Sequence, residues 1–314
     1  MMDPSASHPT CRVAAVVVTY NRAQYLRQCL TSLLNQTRPP DEIIVIDNAS
    51  TDGTVAMLAT EFVGNVTTVR HPKNTGGAGG FHEGIRQAYE AGYDWIWVMD
   101  DDVSPDRTAL ESLIRASHRL PLCGAILPLR LFEDGSLADG TSVDYNLRSL
   151  FCLPGAHQRA VQQAFASPSA IPPVLPTANM SFEGPLIRRA AVAAVGLPTS
   201  AYFLYGDDTD YAFRLALAGF EIVLVKDALL YRLIRPAGRV SPDRTRYVVR
   251  NTLWLNKLYG KTWAVRVMRT AVWAACFLGK HVLCLTWITD RARWRAVLTG
   301  AVEGILLRPT DRRV

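Results

Sequence analysis

A chain of 314 residues with 49% hydrophobic and 20% charged side chains is too apolar for a disordered polymer and has room for one large domain or two small ones. Its six cysteines (Cys11, Cys29, Cys123, Cys152, Cys276 and Cys284) show no CxxC and no zinc-ligand spacing, which argues against a zinc motif and reads as reduced thiols in a cytoplasmic protein. The net charge of +6 hides an asymmetry: from Lys226 onward 18 Lys and Arg stand against 5 Asp and Glu, whereas the first 225 residues hold 16 against 23.

Met1 to Thr10 are polar and lack an apolar signal core, so a disordered, non-secretory N-terminus is predicted. Cys11 to Tyr20 is a β-branched apolar run of the kind expected in a parallel strand buried on both faces. Leu26, Cys29, Leu30, Leu33 and Leu34 then recur at helical spacing up to Pro39-Pro40. Glu42 to Asp47 predicts a second strand, followed by a turn and a helix through about Glu61; Val66 to Arg70 predicts a third. A glycine-rich loop, a helix from about Gly80 to Ala91 and a strand over Asp94 to Met99 complete a β-α alternation that specifies a doubly wound, mostly parallel sheet flanked by helices. From Leu120 to Pro176 the pattern weakens into irregular strands and a mobile Pro-rich stretch. Order returns with a helix over Asp208 to Ala218 and a strand over Glu221 to Val225.

The segment Trp263 to Leu307 is apolar and basic together. Ala271 to Thr289 spans 19 residues, but Lys280 and His281 sit at its centre, where a charge costs about 2.5–3.5 kcal/mol in a bilayer. Tryptophans beside arginines suit amphipathic helices lying in a headgroup layer; a dimer surface and a true span are the other readings. A basic tail on an acidic body favours an anionic partner, and no nucleic-acid motif accompanies the charge.

Chemistry is carried by motifs at strand ends. Asp100-Asp101-Asp102 directly follows the apolar run Trp95 to Met99, so three carboxylates emerge where a strand leaves the core. Either they form a solvated acidic turn, or a divalent cation with a diphosphate neutralises them. Asp47 ends the second strand in the same way and could accept a hydrogen bond from a base or ribose. Asn74-Thr75-Gly76-Gly77-Ala78-Gly79-Gly80 lets backbone approach a ligand and opens a helix, yet it is neither a P-loop nor a dinucleotide fingerprint. In Gly206-Asp207-Asp208-Thr209-Asp210, Asp210 should pair with Arg214 on one helix face, which leaves Asp208 at the helix start, ionised by the dipole, as a candidate base. Asp207 reads more simply as a helix cap.

The order VVVTYNR, DNASTDGT, NTGGAGGF, DWIWVMDDD and GDDTDYAFR resembles glycosyltransferase family 2, in particular its galactofuranosyl- and rhamnosyltransferase branch. The resemblance covers roughly residues 12–260. It implies a GT-A fold, inversion at the anomeric carbon, and a UDP-galactofuranose or dTDP-rhamnose type of donor. It also implies a glycan or lipid-linked glycan acceptor in cell-surface polysaccharide synthesis. By the same resemblance Asp208 is the general base, Asp102 binds Mn2+ or Mg2+, and Thr19, Tyr20, Arg22, Asp47, Asn74, Gly76, Gly77, Gly79, Gly80, Asp100, Asp101, Arg232 and Arg250 face the nucleotide-sugar. Phe182, Gly184, Tyr205 and Asp207 face the acceptor. Such enzymes commonly carry a second metal-binding histidine where this chain has Arg232, so Arg232 is read as gripping the diphosphate, partly replacing the metal's charge, or as a surface arginine. The implied plan is a catalytic domain over 11–260, with a nucleotide half to 119 and an acceptor half from 120. A helical segment over 261–314 would associate with the cytoplasmic face of the membrane or oligomerise. A sugar nucleotidyltransferase and a non-catalytic nucleotide- or glycan-binding relative are the rival readings; the first would need a Gly-, Arg- and Lys-bearing signature that Thr19-Tyr20-Asn21-Arg22 does not provide.

Overall fold

The computed structural model describes residues 11–152, 156–235, 240–283 and 286–308. The predicted disordered stretch 1–10, and Cys284, lie outside them. In chain order the elements are β1 (Val13–Thr19), α1 (Ala23–Leu34), β2 (Glu42–Asp47), α2 (Thr54–Glu61), β3 (Thr67–Arg70), α3 (Gly76–Glu90), β4 (Trp95–Asp100), β5 (Val103–Pro105), α4 (Ala109–Ser117) and β6 (Cys123–Phe132). There follow β7 (Ser142–Tyr145), β8 (Gln158–Ala160), α5 (Val161–Ala164), β9 (Val174–Pro176), β10 (Leu186–Arg188), α6 (Arg189–Val195), α7 (Asp207–Leu217) and β11 (Glu221–Arg232). The C-terminal helices are α8 (Pro242–Tyr259), a π-helical turn Val265–Arg269 that runs into α9 (Thr270–Leu283), α10 (Thr286–Thr289) and α11 (Arg291–Leu306).

Among the described residues the main sheet runs β3-β2-β1-β4-β10-β6-β11-β5, with β9 also on β11. The first four strands are parallel, as are β6 and β11, while β10 lies antiparallel between β4 and β6. All seven residues of β1 are buried because both sheet faces are covered. Val13, Ala15 and Val17 pack in one cluster with Leu26, Cys29, Leu30 and Leu33 of α1. Ala14, Val16 and Val18 pack in the other with Phe81 and Ile85 of α3 and Tyr211 of α7. The period of two along the strand and of 3.6 along the helices is what divides the core this way.

The weak sequence pattern after Leu120 conceals β6, a ten-residue, almost wholly buried strand inside the sheet. Pro128 argues against a central strand, because proline cannot donate to the ladder. Here it pairs with Val225 at the point where β11 slips register, the next pair being Leu129 with Leu229, so the missing N–H coincides with an irregularity. The glycine-rich segment differs as well: α3 begins at Gly76, so the expected loop is the helix's first turns.

The C-terminal helices dock on α8. Gly300 and Gly304 of α11 bring its backbone against Arg246 and Leu253, Arg246 pairs with Glu303, and Lys257 Nζ reaches the carbonyls of Ile305 (2.7 Å) and Leu307 (3.0 Å) at the end of α11. A cation there answers the unpaired carbonyls of the helix terminus. No helix of the described residues is long and apolar enough to cross a membrane.

Candidate active site

Three parallel strands end beside one another: Thr19 of β1 is in register with Asp47 of β2, and Val18 with Asp100 of β4. Asp101 and Asp102 follow at the same edge. Thr19 Oγ1 donates to Asp101 Oδ2 (2.6 Å), and Arg22 Nη1 donates to Asp101 Oδ1 (3.1 Å) and Asp102 Oδ2 (2.7 Å). Burial nevertheless pushes Asp101 up to about 6, against the Thr19 and Arg22 contacts that hold it down. Asp100 lies well above the carboxylate range, through burial first and then the negative charges of Asp102, Glu183 and Asp101. One guanidinium does not neutralise this cluster.

A cleft of about 420 Å3 opens at this edge. It brings together Thr19, Tyr20, Arg22, Asn74, Gly76, Gly77, Asp100 and Asp101. It adds Phe203 and Tyr247, whose rings stack at 4.8 Å, and the first turn of α8 with Arg244. Ser241 caps that helix by accepting from the Arg244 N–H, and the Arg244 guanidinium makes no ion pair with a described residue. Asp47 is buried; its Oδ1 accepts from Ser50 N (2.9 Å), while Oδ2 has Arg70 Nε at 3.3 Å without hydrogen-bond alignment and so lacks a bonded partner.

The second acidic motif is presented by a strained turn. Phe203 has φ 62° and ψ −55°, and Leu204 N donates to Tyr202 O at 2.7 Å, which makes a γ-turn with positive φ, a rare and strained form. Tyr205 (φ 66°) and Gly206 (φ 85°) continue in the left-handed region before α7 starts. Asn251 Nδ2 reaches the carbonyls of Tyr202, Leu204 and Tyr205 at 2.7–3.0 Å, and Arg250 Nη2 those of Ala201 and Tyr202. The turn is thus held from α8.

Gly206, not Asp207, is the cap position of α7; Asp207 is its first residue, buried and pushed well above the carboxylate range by burial and by Asp208. Asp208 Oδ1 accepts from Thr209 N (2.6 Å) and Thr209 Oγ1 (3.3 Å). The helix dipole alone would keep Asp208 acidic, but burial outweighs it and the pKa rises to about 6, with Glu183 adding to the rise and Arg130 opposing it. Asp210 pairs with Arg214 at 3.0 Å as the i, i+4 spacing requires. Glu183 raises both Asp100 and Asp208, so the two acidic motifs share one charged neighbour.

Comparison with known proteins bears on this arrangement. The sequence profile described as Glycosyl transferase family 2 matches residues 14–153. Over 210 residues the chain is 34% identical to galactofuranosyltransferase GlfT1 of Mycolicibacterium smegmatis, covering 66% of each. Over 243 residues it is 30% identical to N-acetylglucosaminyl-diphospho-decaprenol L-rhamnosyltransferase of Mycobacterium tuberculosis, covering 71% of this chain and 77% of that one. The chain belongs to glycosyltransferase family 2. Its fold is also that of the mannosyltransferase PcManGT from Pyrobaculum calidifontis, solved with GDP-Man and Mn2+, with TM-score 0.55 and 17% identity over 94% of this chain and 87% of that one. This is the GT-A fold, and membership sets aside the nucleotidyltransferase and non-catalytic readings.

Several residues singled out by the family resemblance do not line the cleft. Phe182 is core, with its ring 4.8 Å from Phe81 and 6.0 Å from Tyr211. Gly184 accepts from Trp97 Nε1 (2.9 Å), and a side chain there would collide with Leu230 and Pro128. Gly79 and Gly80 do not line the cleft: a Cβ at Gly80 would meet Val18, so this glycine lets α3 lie on β1. Arg250 is buried, does not line the cleft, and donates from Nε and Nη2 to Asn251, Ala201 and Tyr202, bracing the γ-turn. Arg232 does end β11 beside Val103, but its guanidinium pairs with Glu183 at 3.3 Å. Tyr205 is exposed on the turn.

Residues of the site that went unflagged include Glu183, Phe203, Asp243 and Arg244. Glu183 lies between Phe182 and Gly184, and bridges Arg130 (2.7 Å) and Arg232. Arg244 and Phe203 line the cleft. The Ser241-Pro242 helix start was a readable signal for the turn that carries Arg244.

Proposed function

We propose that this glycosyltransferase moves a sugar from a nucleoside-diphosphate donor of the UDP-galactofuranose or dTDP-rhamnose type to a hydroxyl of a glycan or lipid-linked glycan in cell-surface polysaccharide synthesis, with inversion. The observation that carries the reading is the common neighbour of the two acidic motifs: Glu183, paired with Arg130 and Arg232, raises both Asp208, at about 6, and Asp100 at the sheet edge. The two named relatives support the donor type and the acceptor class.

In this reading the nucleotide lies in the 420 Å3 cleft, with Thr19 toward the base, Asp47 buried behind the cleft against Arg70, and Tyr247 and Phe203 along one wall. Arg244 meets the diphosphate, the role first assigned to Arg232 and Arg250. Asp208 accepts the proton of the acceptor hydroxyl, and that oxygen attacks the anomeric carbon from the face opposite the departing diphosphate. The C–O bond to the diphosphate breaks with its electron pair leaving on phosphate oxygen. Arg244 offsets the charge that develops there.

Among the described residues no group of three or more His, Cys, Asp and Glu side chains is arranged to hold a metal unaided. The donor set still suits Mn2+ or Mg2+, which need only one or two carboxylates when phosphate and water oxygens complete the shell. Asp102, whose bonded partner is Arg22, and Asp100, raised by burial and by its negative neighbours, would hold it. Bound there, the ion would polarise the diphosphate as a Lewis acid.

The basic helices after 260 are read as the part that meets the cytoplasmic face of the membrane or a second copy, and residues 11–260 as the catalytic unit. The decisive experiment is Asp208→Asn. Transfer should fall by at least ~100-fold with donor affinity unchanged; near-normal turnover would sink the assignment.

A further inference from the structure

A second cavity, of about 870 Å3, lies between β7–β8, the start of α7, α8 and α9. That volume is within the usual range of ligand sites, about 300–1,000 Å3. Its wall is built from Val248, Val249, Leu255, Phe277 and Leu283, and its polar members are occupied or neutral. Thr245 Oγ1 donates to Ser241 O and accepts from Arg293 Nη1, and Gln158 Oε1 accepts from Ser142 Oγ. Burial, with Arg269 adding, pushes His157 down to about 4, and burial raises Tyr145, so both are uncharged at neutral pH. A sugar or a nucleotide would strand hydroxyls and phosphates against this wall, whereas a hydrocarbon chain would not. Lys280 is the one cation among the described lining residues; it is exposed and makes no ion pair with a described residue.

The cavity shares a residue with the chemistry. Thr209 lines it and donates from N and Oγ1 to Asp208, the proposed base. A bilayer phospholipid has no chemical reason to lie there, but the carrier of the acceptor sugar has.

We propose that this cavity binds the hydrocarbon chain of the acceptor's lipid carrier, with Lys280 as counter-charge to the carrier's phosphate or diphosphate. The proposal rests on the transfer reading above. That reading fails separately, if Asp208→Asn keeps donor turnover, whatever the lipid binding shows. The probe is farnesyl diphosphate, titrated into the full chain with saturating UDP to fill the donor cleft.

Gly279 lines the cavity, and a Cβ there meets nothing within 4 Å, so Gly279→Phe adds a ring at the cavity wall from a position that accepts a side chain, and favours the helix. Wild type should bind the probe, Gly279→Phe should weaken it at least tenfold at unchanged melting temperature, and Lys280→Glu should weaken farnesyl diphosphate more than farnesol. Equal affinity of Gly279→Phe and wild type would overturn the proposal, as would inorganic pyrophosphate binding as well as the probe. A parallel tenfold loss of binding to dioleoylphosphatidylglycerol vesicles in Gly279→Phe would reassign the cavity to bilayer lipid and overturn it too.

Discussion

Asp208 illustrates how one environment sets a residue's task. Burial raises it to about 6 while two hydrogen bonds from Thr209 keep it from rising further. A carboxylate at that value is still ionised at neutral pH, yet is a stronger base than a solvated one. Because the proposed base must be ionised to accept a proton, kcat/KM should climb with pH through about 6 and level off above it. Glu183→Gln removes a negative neighbour and frees Arg130 and Arg232, all of which favour the ionised carboxylate, so the acidic limb should move to lower pH. A limb that stays in place would show that Asp208 does not set it. Arg244 is a similar case of position over identity: Arg244→Ala should raise the donor KM about tenfold or more, the worth of a charged hydrogen bond, and steady-state kinetics on the donor would measure it.

At the scale of elements, α3 is fixed by what its glycines exclude. A methyl at Gly80 would press on Val18 of β1, whereas one at Gly77 meets only Phe81 at 3.7 Å. Gly80→Ala should therefore cost about 1–3 kcal/mol of stability, and Gly77→Ala should gain about 0.5–1 kcal/mol; urea unfolding of the two variants reads the difference. The same segment shows what was legible beforehand. Apolar runs gave β1, β2 and β4, and the acids after β4 gave Asp100 and Asp101 in the cleft, because a strand's edge is a local property; Thr19 came from the family resemblance. Glycine content, by contrast, signals a loop and a tight helix contact equally, so α3 was started four residues late. Pro128 hid β6, since its compensating slip lies on β11, a hundred residues away. Arg232, Arg244 and Arg250 are alike in sequence, and only the packing of α8 and β11 tells the cleft cation from the braces.

For the whole molecule, the charge division counts most. The basic residues after Lys226 accompany exposed apolar side chains such as Trp263, Val267, Leu283 and Ile288. Each Lys or Arg near an anionic surface contributes about 1 kcal/mol, screened by salt. Sedimentation with phosphatidylglycerol vesicles should thus be strong at low ionic strength and fade toward 0.5 M salt, while neutral vesicles should retain little; salt-independent binding to both would point to another attachment. The fold also distributes its tolerance to heat unevenly. The turn before α7 stores backbone strain at Phe203 and Tyr205, and it is restrained chiefly by Asn251 and Arg250 reaching across from α8. The turn that presents the proposed base is therefore held by a latch from α8, not by the sheet beneath. On warming, that latch should slip first, so activity should be lost at a lower temperature than the one at which circular dichroism reports melting of the core.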